Sequence, residues 1–193
     1  LPSGIDGLAE KINKIGMKFG LWFEPEMISP DSDLYREHPD WAIHIDEREG
    51  VQSRNQMVLD LSRDEVCEYV INAVSDILAN ANIEYVKWDM NRQLTDMPRL
   101  GYNHEYTLGY YKIMSAITEK FPNILFEGCS AGGGRFDAGV LAYMPQIWTS
   151  DNSDAIARLK MQYSTSMCYP VYSISSHVTA SPNHQCGRDT SLK

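Results

Sequence analysis

Apolar positions along this chain keep two alternating rhythms. Ile5, Leu8, Ile12 and Ile15 recur at helical spacing and stop at Gly16, after which residues 18–24 (KFGLWFE) read as a short buried strand. Residues 25–54 hold prolines, acids and two aromatics without a sustained period, which predicts a long loop carrying one short helix at residues 32–37. Residues 56–61 (QMVLDL) read as a strand, and Asp64 opens a helix to Asn80 with Val66, Val70, Ala73, Val74 and Ile77 on one face. Further strands are predicted at residues 85–90, 124–129, 145–150 and 171–178, with helices at 104–120 and 155–167.

Strands alternating with helices imply parallel β/α units, because a parallel pair needs a long crossover that a helix usually fills. Two α/β architectures remain, a closed (β/α)8 TIM barrel and an open doubly wound sheet. Gly132–Gly134 follows a strand but has neither the G-x-G-x-x-G spacing nor a following Lys-Ser/Thr pair, so no dinucleotide or P-loop signature supports the open sheet. The barrel is favoured. About five or six strands are counted where a closed barrel has eight, so the chain is expected to be a partial (β/α)8 domain spanning residues 1–193, from about strand three to strand seven or eight.

Composition narrows the partners. The 193 residues are 43% apolar and 22% charged, as in a globular protein with a sizeable core. The formal net charge of −9, with 17 Lys and Arg scattered along the chain, argues against nucleic acid and anionic membranes. Cys67, Cys129, Cys168 and Cys186 stand far apart and read as reduced thiols. No apolar run approaches the roughly 20 residues of a membrane span, and the first residues lack a signal-peptide pattern. A cytoplasmic location is expected, although a start without Met leaves an upstream signal open.

The chemistry gathers at predicted strand ends, where β/α folds bind ligands. These ends read Trp22-Phe23-Glu24-Pro25-Glu26, Lys87-Trp88-Asp89-Met90-Asn91, Glu127-Gly128-Cys129 and Trp148-Thr149-Ser150-Asp151-Asn152. Every one carries an acid and three carry a Trp. Indole faces stack on the C–H face of a pyranose while carboxylates bind hydroxyls and stabilise an oxocarbenium-like transition state, so the pattern points to sugar chemistry. The plain alternative for each acid is a helix cap; Asp151 precedes a helix, though Ser153 and Asp154 could cap it instead. Period-two alternation puts Lys87 and Asp89 on one face and Trp88 on the other, and a neighbouring cation favours the ionised carboxylate that a nucleophile needs. A structural ion pair in the core is the alternative there. The five histidines show no metal-ligand spacing, no G-x-S-x-G elbow occurs, and Cys129 lacks a clear His partner, so neither metal nor Ser/Cys catalysis is expected.

LWFEPEM (21–27), RNQMVLDLS (54–62), KWDMNR (87–92), the C-x-x-G-x-x-R of Cys129, Gly132 and Arg135, and WTSDNSDAIARLKMQY (148–163) together resemble the bacterial α-galactosidases of glycoside hydrolase family thirty-six. The resemblance implies a retaining hydrolase of terminal α-linked galactose, acting on oligosaccharides such as melibiose or raffinose, with Asp89 as nucleophile and Asp151 as acid/base. It also implies a sugar pocket lined by Trp22, Arg54, Lys87, Cys129 and Gly132, and no cofactor or metal. Family members add β domains on both sides of the barrel and a pair of sugar-gripping acids on an earlier strand, all absent from this chain. They are often homo-oligomers, but no residue here identifies an interface. Two other readings stay open: a galactosyltransferase of the raffinose- or stachyose-synthase type, and a catalytically incomplete sugar-binding fragment.

Overall fold

The computed structural model describes residues 2–190, which form two units divided between Leu125 and Phe126. The first unit holds α1 (Gly4–Lys14), β1 (Gly20–Phe23), β2 (Met27–Ile28), α2 (Asp33–Glu37), β3 (Met57–Val58), α3 (Asp64–Ala79), β4 (Tyr85–Trp88) and α4 (Tyr102–Lys120). The second begins within β5 (Leu125–Gly128) and continues through α5 (Ala138–Leu141), β6 (Gln146–Trp148), α6 (Ala155–Ser166) and β7 (Ile174–Ser175).

In the first unit, α3 buries Val66, Val70, Val74 and Leu78 at four-residue spacing, and α4 buries Tyr102, Tyr106, Gly109, Tyr110, Ile113 and Ile117. These stripes pack against each other, so most of their stabilisation comes from apolar surface withdrawn from water. Gly109 lies in the contact: a Cβ there would stand 1.8 Å from the Leu61 carbonyl oxygen. Strands β1 and β4 are parallel, with Trp22 opposite Lys87 and Phe23 opposite Trp88, and α3 lies in the crossover between them. Their carboxyl ends are level, because the Asp89 amide still donates to the Phe23 carbonyl at 2.8 Å.

The region predicted as a loop is more structured than its sequence suggests. The short helix is present as α2, capped by Ser32, whose hydroxyl accepts the Tyr35 amide at 3.1 Å. β2 and a turn of 3-10 helix at Pro39–Trp41 lie there as well. The strand predicted at 56–61 shortens to β3, which pairs antiparallel with β2 rather than joining the parallel strands. Met57, Val58, Leu59 and Leu61 are all buried, and a short apolar run announces burial without announcing the direction of its partner.

In the second unit β5, β6 and β7 are parallel neighbours, in register through Gly128 opposite Ile147 and Trp148 opposite Ser175. The strand predicted at 171–178 begins instead as a 3-10 turn at Val171–Ser173, where the Ser173 hydroxyl donates back to the Pro170 carbonyl at 2.7 Å. Only Ile174 and Ser175 remain as strand. Among the described residues no helix is long and apolar enough to cross a membrane.

Candidate active site

At the carboxyl end of β4, Asp89 is 6% exposed and held on both oxygens. Its Oδ1 accepts the Met90 amide at 2.8 Å. Its Oδ2 accepts the Asn91 Nδ2 at 2.7 Å and the Trp22 Nε1, from the neighbouring strand β1, at 3.1 Å. Three N–H donors fix the carboxyl group in place.

Glu24 ties this group to the β2–β3 region. Its Oε1 accepts the Asn91 amide at 3.0 Å and the Arg54 Nη1 at 3.4 Å. Arg54 and Asn55 both have positive φ, 55° and 58°, at the tip of a turn closed by reciprocal Ser53–Gln56 backbone bonds of 3.0 Å. Non-glycine residues held there store backbone strain, which is characteristic of sites whose side chains must be aimed. Lys87 is half-buried on β4, on the face opposite Trp88.

Trp88 is fully buried, and its Nε1 donates to Glu26 Oε1 at 2.9 Å while the Tyr106 hydroxyl of α4 donates to Glu26 Oε2 at 2.7 Å. It therefore anchors β4 instead of offering a stacking face. Trp22, 51% exposed, keeps such a face.

In the second unit the segment Ser150–Asp154 divides its tasks residue by residue. Asp154 is the helix cap: its Oδ1 accepts the Ile156 amide at 3.3 Å and the Arg188 Nε at 3.0 Å. Burial pushes the Asp154 carboxyl up, but the Ile156 and Ala157 amides and the Arg188 charge outweigh it and hold the group below the usual carboxylate range. Ser153 is buried, its carbonyl accepting Thr179 Oγ1 and Asn183 Nδ2 at 3.0 and 2.8 Å. Asp151 is thereby released from capping and stands exposed, its Oδ1 accepting the Trp148 Nε1 at 2.8 Å. The expectation that Trp148 stacks on sugar gives way to another role, since His177 stacks on its ring at 4.6 Å and Arg158 lies over it at 5.2 Å.

Cys129 is buried just past β5 and opens the glycine turn. Gly132 has φ +85°, and a Cβ on it would meet the Ser150 Cα at 2.9 Å. Gly133 donates to the Thr149 carbonyl at 3.1 Å, so the turn lies directly against the chain that leads into Asp151. Only glycine combines that φ with that approach. Glu127, buried on β5, accepts the Ser175 hydroxyl at 2.6 Å.

The first unit thus gathers Trp22, Asp89 and, through Glu24 and Asn91, Arg54; the second gathers Gly132 and Asp151 on adjoining turns. The sequence pattern gives no role to Asn91 or Arg158, and it includes Glu24 and Trp148 only as an acid and an indole at strand ends. The only signal for Asn91 was its place two residues after a strand-end acid.

The chain matches the Melibiase family over residues 1–193. It is 55% identical to alpha-galactosidase AgaA of Geobacillus stearothermophilus over 201 residues, covering 100% of this chain and 28% of that protein. It is 46% identical to alpha-galactosidase C of Emericella nidulans over 200 residues, covering 100% of this chain and 27% of the relative. The crystal structure of AgaA, a GH36 alpha-galactosidase, superposes with a TM-score of 0.96 over 100% of this chain and 28% of its own. Crystal structures of AgaA variants in complex with raffinose and with stachyose superpose with TM-scores of 0.95 at 55% identity and the same coverage. The matched span is part of a (β/α)8 catalytic barrel, and the chain spans only 28% of the length of AgaA.

Proposed function

Because the chain belongs to the Melibiase family, we propose that it supplies both catalytic carboxylates of a retaining α-galactosidase, Asp89 as nucleophile and Asp151 as general acid and base. The observation that carries this reading is the grip on Asp89: a carboxylate at a strand end, 6% exposed, with N–H donors on both oxygens and an accessible indole beside it. Such a group is oriented before substrate arrives, which is what in-line attack on an anomeric carbon requires.

In the first step Asp151 gives its proton to the glycosidic oxygen as the bond from that oxygen to the anomeric carbon breaks. An Asp89 oxygen forms the new bond, giving a galactosyl ester of inverted configuration. In the second, Asp151 takes a proton from water, the water oxygen attacks the anomeric carbon and the ester bond breaks, releasing α-galactose with net retention. Two carboxylates supply both steps, so no cofactor enters. Trp22 offers its open ring face to the sugar, while Arg54, Lys87, Cys129 and Gly132 complete the contacts. The substrates are oligosaccharides ending in α-linked galactose, such as melibiose or raffinose, a choice supported by the raffinose and stachyose bound in the AgaA variants. The four free cysteines support a reducing, cytoplasmic setting.

Release of aryl alcohol from an aryl α-galactoside by the natural protein carrying this chain tests the reading. Asp89→Ala is expected to lose at least about a thousandfold in kcat. A variant with its rate intact would remove Asp89 from the chemistry, and an inert parent would remove α-galactosides from it.

A further inference from the structure

One buried cation touches the backbone on both sides of Asp151 and the indole that holds its carboxylate. Arg158, in the first turn of α6, is 5% exposed. Its Nη1 donates to the carbonyl of Ser150 at 3.0 Å and to that of Asn152 at 3.2 Å, the residues on either side of Asp151. Its guanidinium also lies 5.2 Å from the centroid of the Trp148 ring, the indole whose Nε1 holds Asp151 Oδ1 at 2.8 Å. The backbone before the acid, the backbone after it and the donor on its carboxylate thus share one support.

A cation placed there for stability alone would be expected to bring a carboxylate with it, because desolvating an unpaired charge is strongly unfavourable. Arg158 is instead left with its Nη2 buried and without a hydrogen-bond partner among the described residues. Burial accordingly lowers its pKa from the ordinary guanidinium value.

Resting on the reading of Asp151 as acid/base, we propose that Arg158 is its positioning residue, holding the Ser150–Asn152 turn and the Trp148 indole so that the Asp151 proton is aimed at the glycosidic oxygen. Arg158 itself touches no sugar. Its removal leaves Asp89 and the sugar contacts in place and misdirects only the proton.

Leaving-group dependence separates that role from a merely structural one. An alkyl α-galactoside needs its leaving oxygen protonated, whereas a dinitrophenyl α-galactoside departs without help. In the natural protein, Arg158→Met is expected to lose about a hundredfold in kcat/KM on the alkyl substrate, the scale of misplacing or removing a general acid. On the dinitrophenyl substrate its kcat/KM should stay within about threefold of the parent. Arg158→Lys, which keeps a donor for one carbonyl, should recover part of the alkyl activity. Azide should raise the turnover of Arg158→Met on the dinitrophenyl substrate by capturing the galactosyl ester that a misplaced base hydrolyses slowly. The ratio of the two rates is independent of the fraction of enzyme folded, so poor folding of either variant does not obscure the result. Equal losses on both substrates, or none on either, would overturn the proposal. Asp151→Ala run in parallel tests the underlying reading: if it too shows no leaving-group dependence, Asp151 is not the acid/base and the failure lies there.

Discussion

Replacing Gly109 with alanine sets two effects of opposite sign against each other. In the interior of an exposed helix the change would stabilise by about 1 kcal/mol, since alanine gives up less backbone entropy on folding. In α4, however, the new methyl group would stand 1.8 Å from the Leu61 carbonyl oxygen, 2.8 Å from its carbonyl carbon and 3.1 Å from the Cys67 sulfur. The first two are backbone atoms of a residue that is 1% exposed and whose carbonyl also accepts the Cys67 thiol, so they have little room to retreat. Relieving the contact requires α4 and the Leu61 segment to separate by roughly 1.5 Å, and overpacking of this kind is destabilising by about 1–3 kcal/mol, more when backbone must move. The clash wins. With helix propensity subtracted, a net loss of about 2 kcal/mol is expected, lowering Tm by roughly 4–8 °C for a domain of this size. The displacement also reaches the site, because Tyr106, three residues earlier on α4, donates to Glu26 and Glu26 holds Trp88, the residue before Asp89. A fall in kcat/KM of about tenfold on an aryl α-galactoside, equivalent to about 1.4 kcal/mol, should accompany the loss of stability. Thermal unfolding of the natural protein followed by tryptophan fluorescence measures the first quantity. Thr107→Ala on the exposed face of the same helix serves as control and should stay within about 0.5 kcal/mol of the parent. A Gly109→Ala protein that melts at or above the parent temperature would refute the packing argument.

Tyr106→Phe removes the 2.7 Å hydrogen bond to the fully buried Glu26 carboxylate and should destabilise by about 1.5–3 kcal/mol in the same melts; an unchanged Tm would show that Glu26 does not depend on it. Asp154→Ala should lower Tm at neutral pH while leaving the alkyl-to-dinitrophenyl rate ratio at the parent value, in contrast to Asp151→Ala. The folded-state pKa of Asp154 lies below its ordinary 3.8, so its contribution is complete above that value and is lost as pH falls through the folded one. The Tm gap between parent and Asp154→Ala should therefore close in acid, and a gap that persists there contradicts the cap and Arg188 assignments. Iodoacetamide at about pH 8 should label the exposed Cys168 and Cys186 and spare Cys67, whose thiol burial pushes up to about 11; mass spectrometry finding Cys67 labelled as fast as the others would show that the α3–α4 core opens readily.

Long amphipathic helices were the most legible part of the chain, because α3 and α4 repeat their apolar positions over four or more turns and no other fold satisfies that period. The β2–β3 pair was not, since two strands of two residues each leave no alternation to read. At the site, Asp89 and Asp151 were visible as acids at strand ends. Which acid caps α6 was not: Asp151, Ser153 and Asp154 all have the chemistry of a cap, and only the position of the Ile156 amide selects Asp154. The tryptophans show the limit most clearly. Alternation correctly set Trp88 on the face away from Lys87, but an indole serving as an N–H donor to a carboxylate, as Trp22, Trp88 and Trp148 all do, has the same sequence signature as one that stacks on sugar. Arg158 was invisible for a related reason: its contacts are backbone carbonyls, which every residue possesses.

The most direct test of the central claim is to quench the natural protein in acid during turnover of a dinitrophenyl α-galactoside and map its peptides by mass spectrometry. One added hexosyl group, in ester linkage on Asp89 and absent from Asp89→Ala, is the expected result. A hexosyl group carried by any other residue would contradict it.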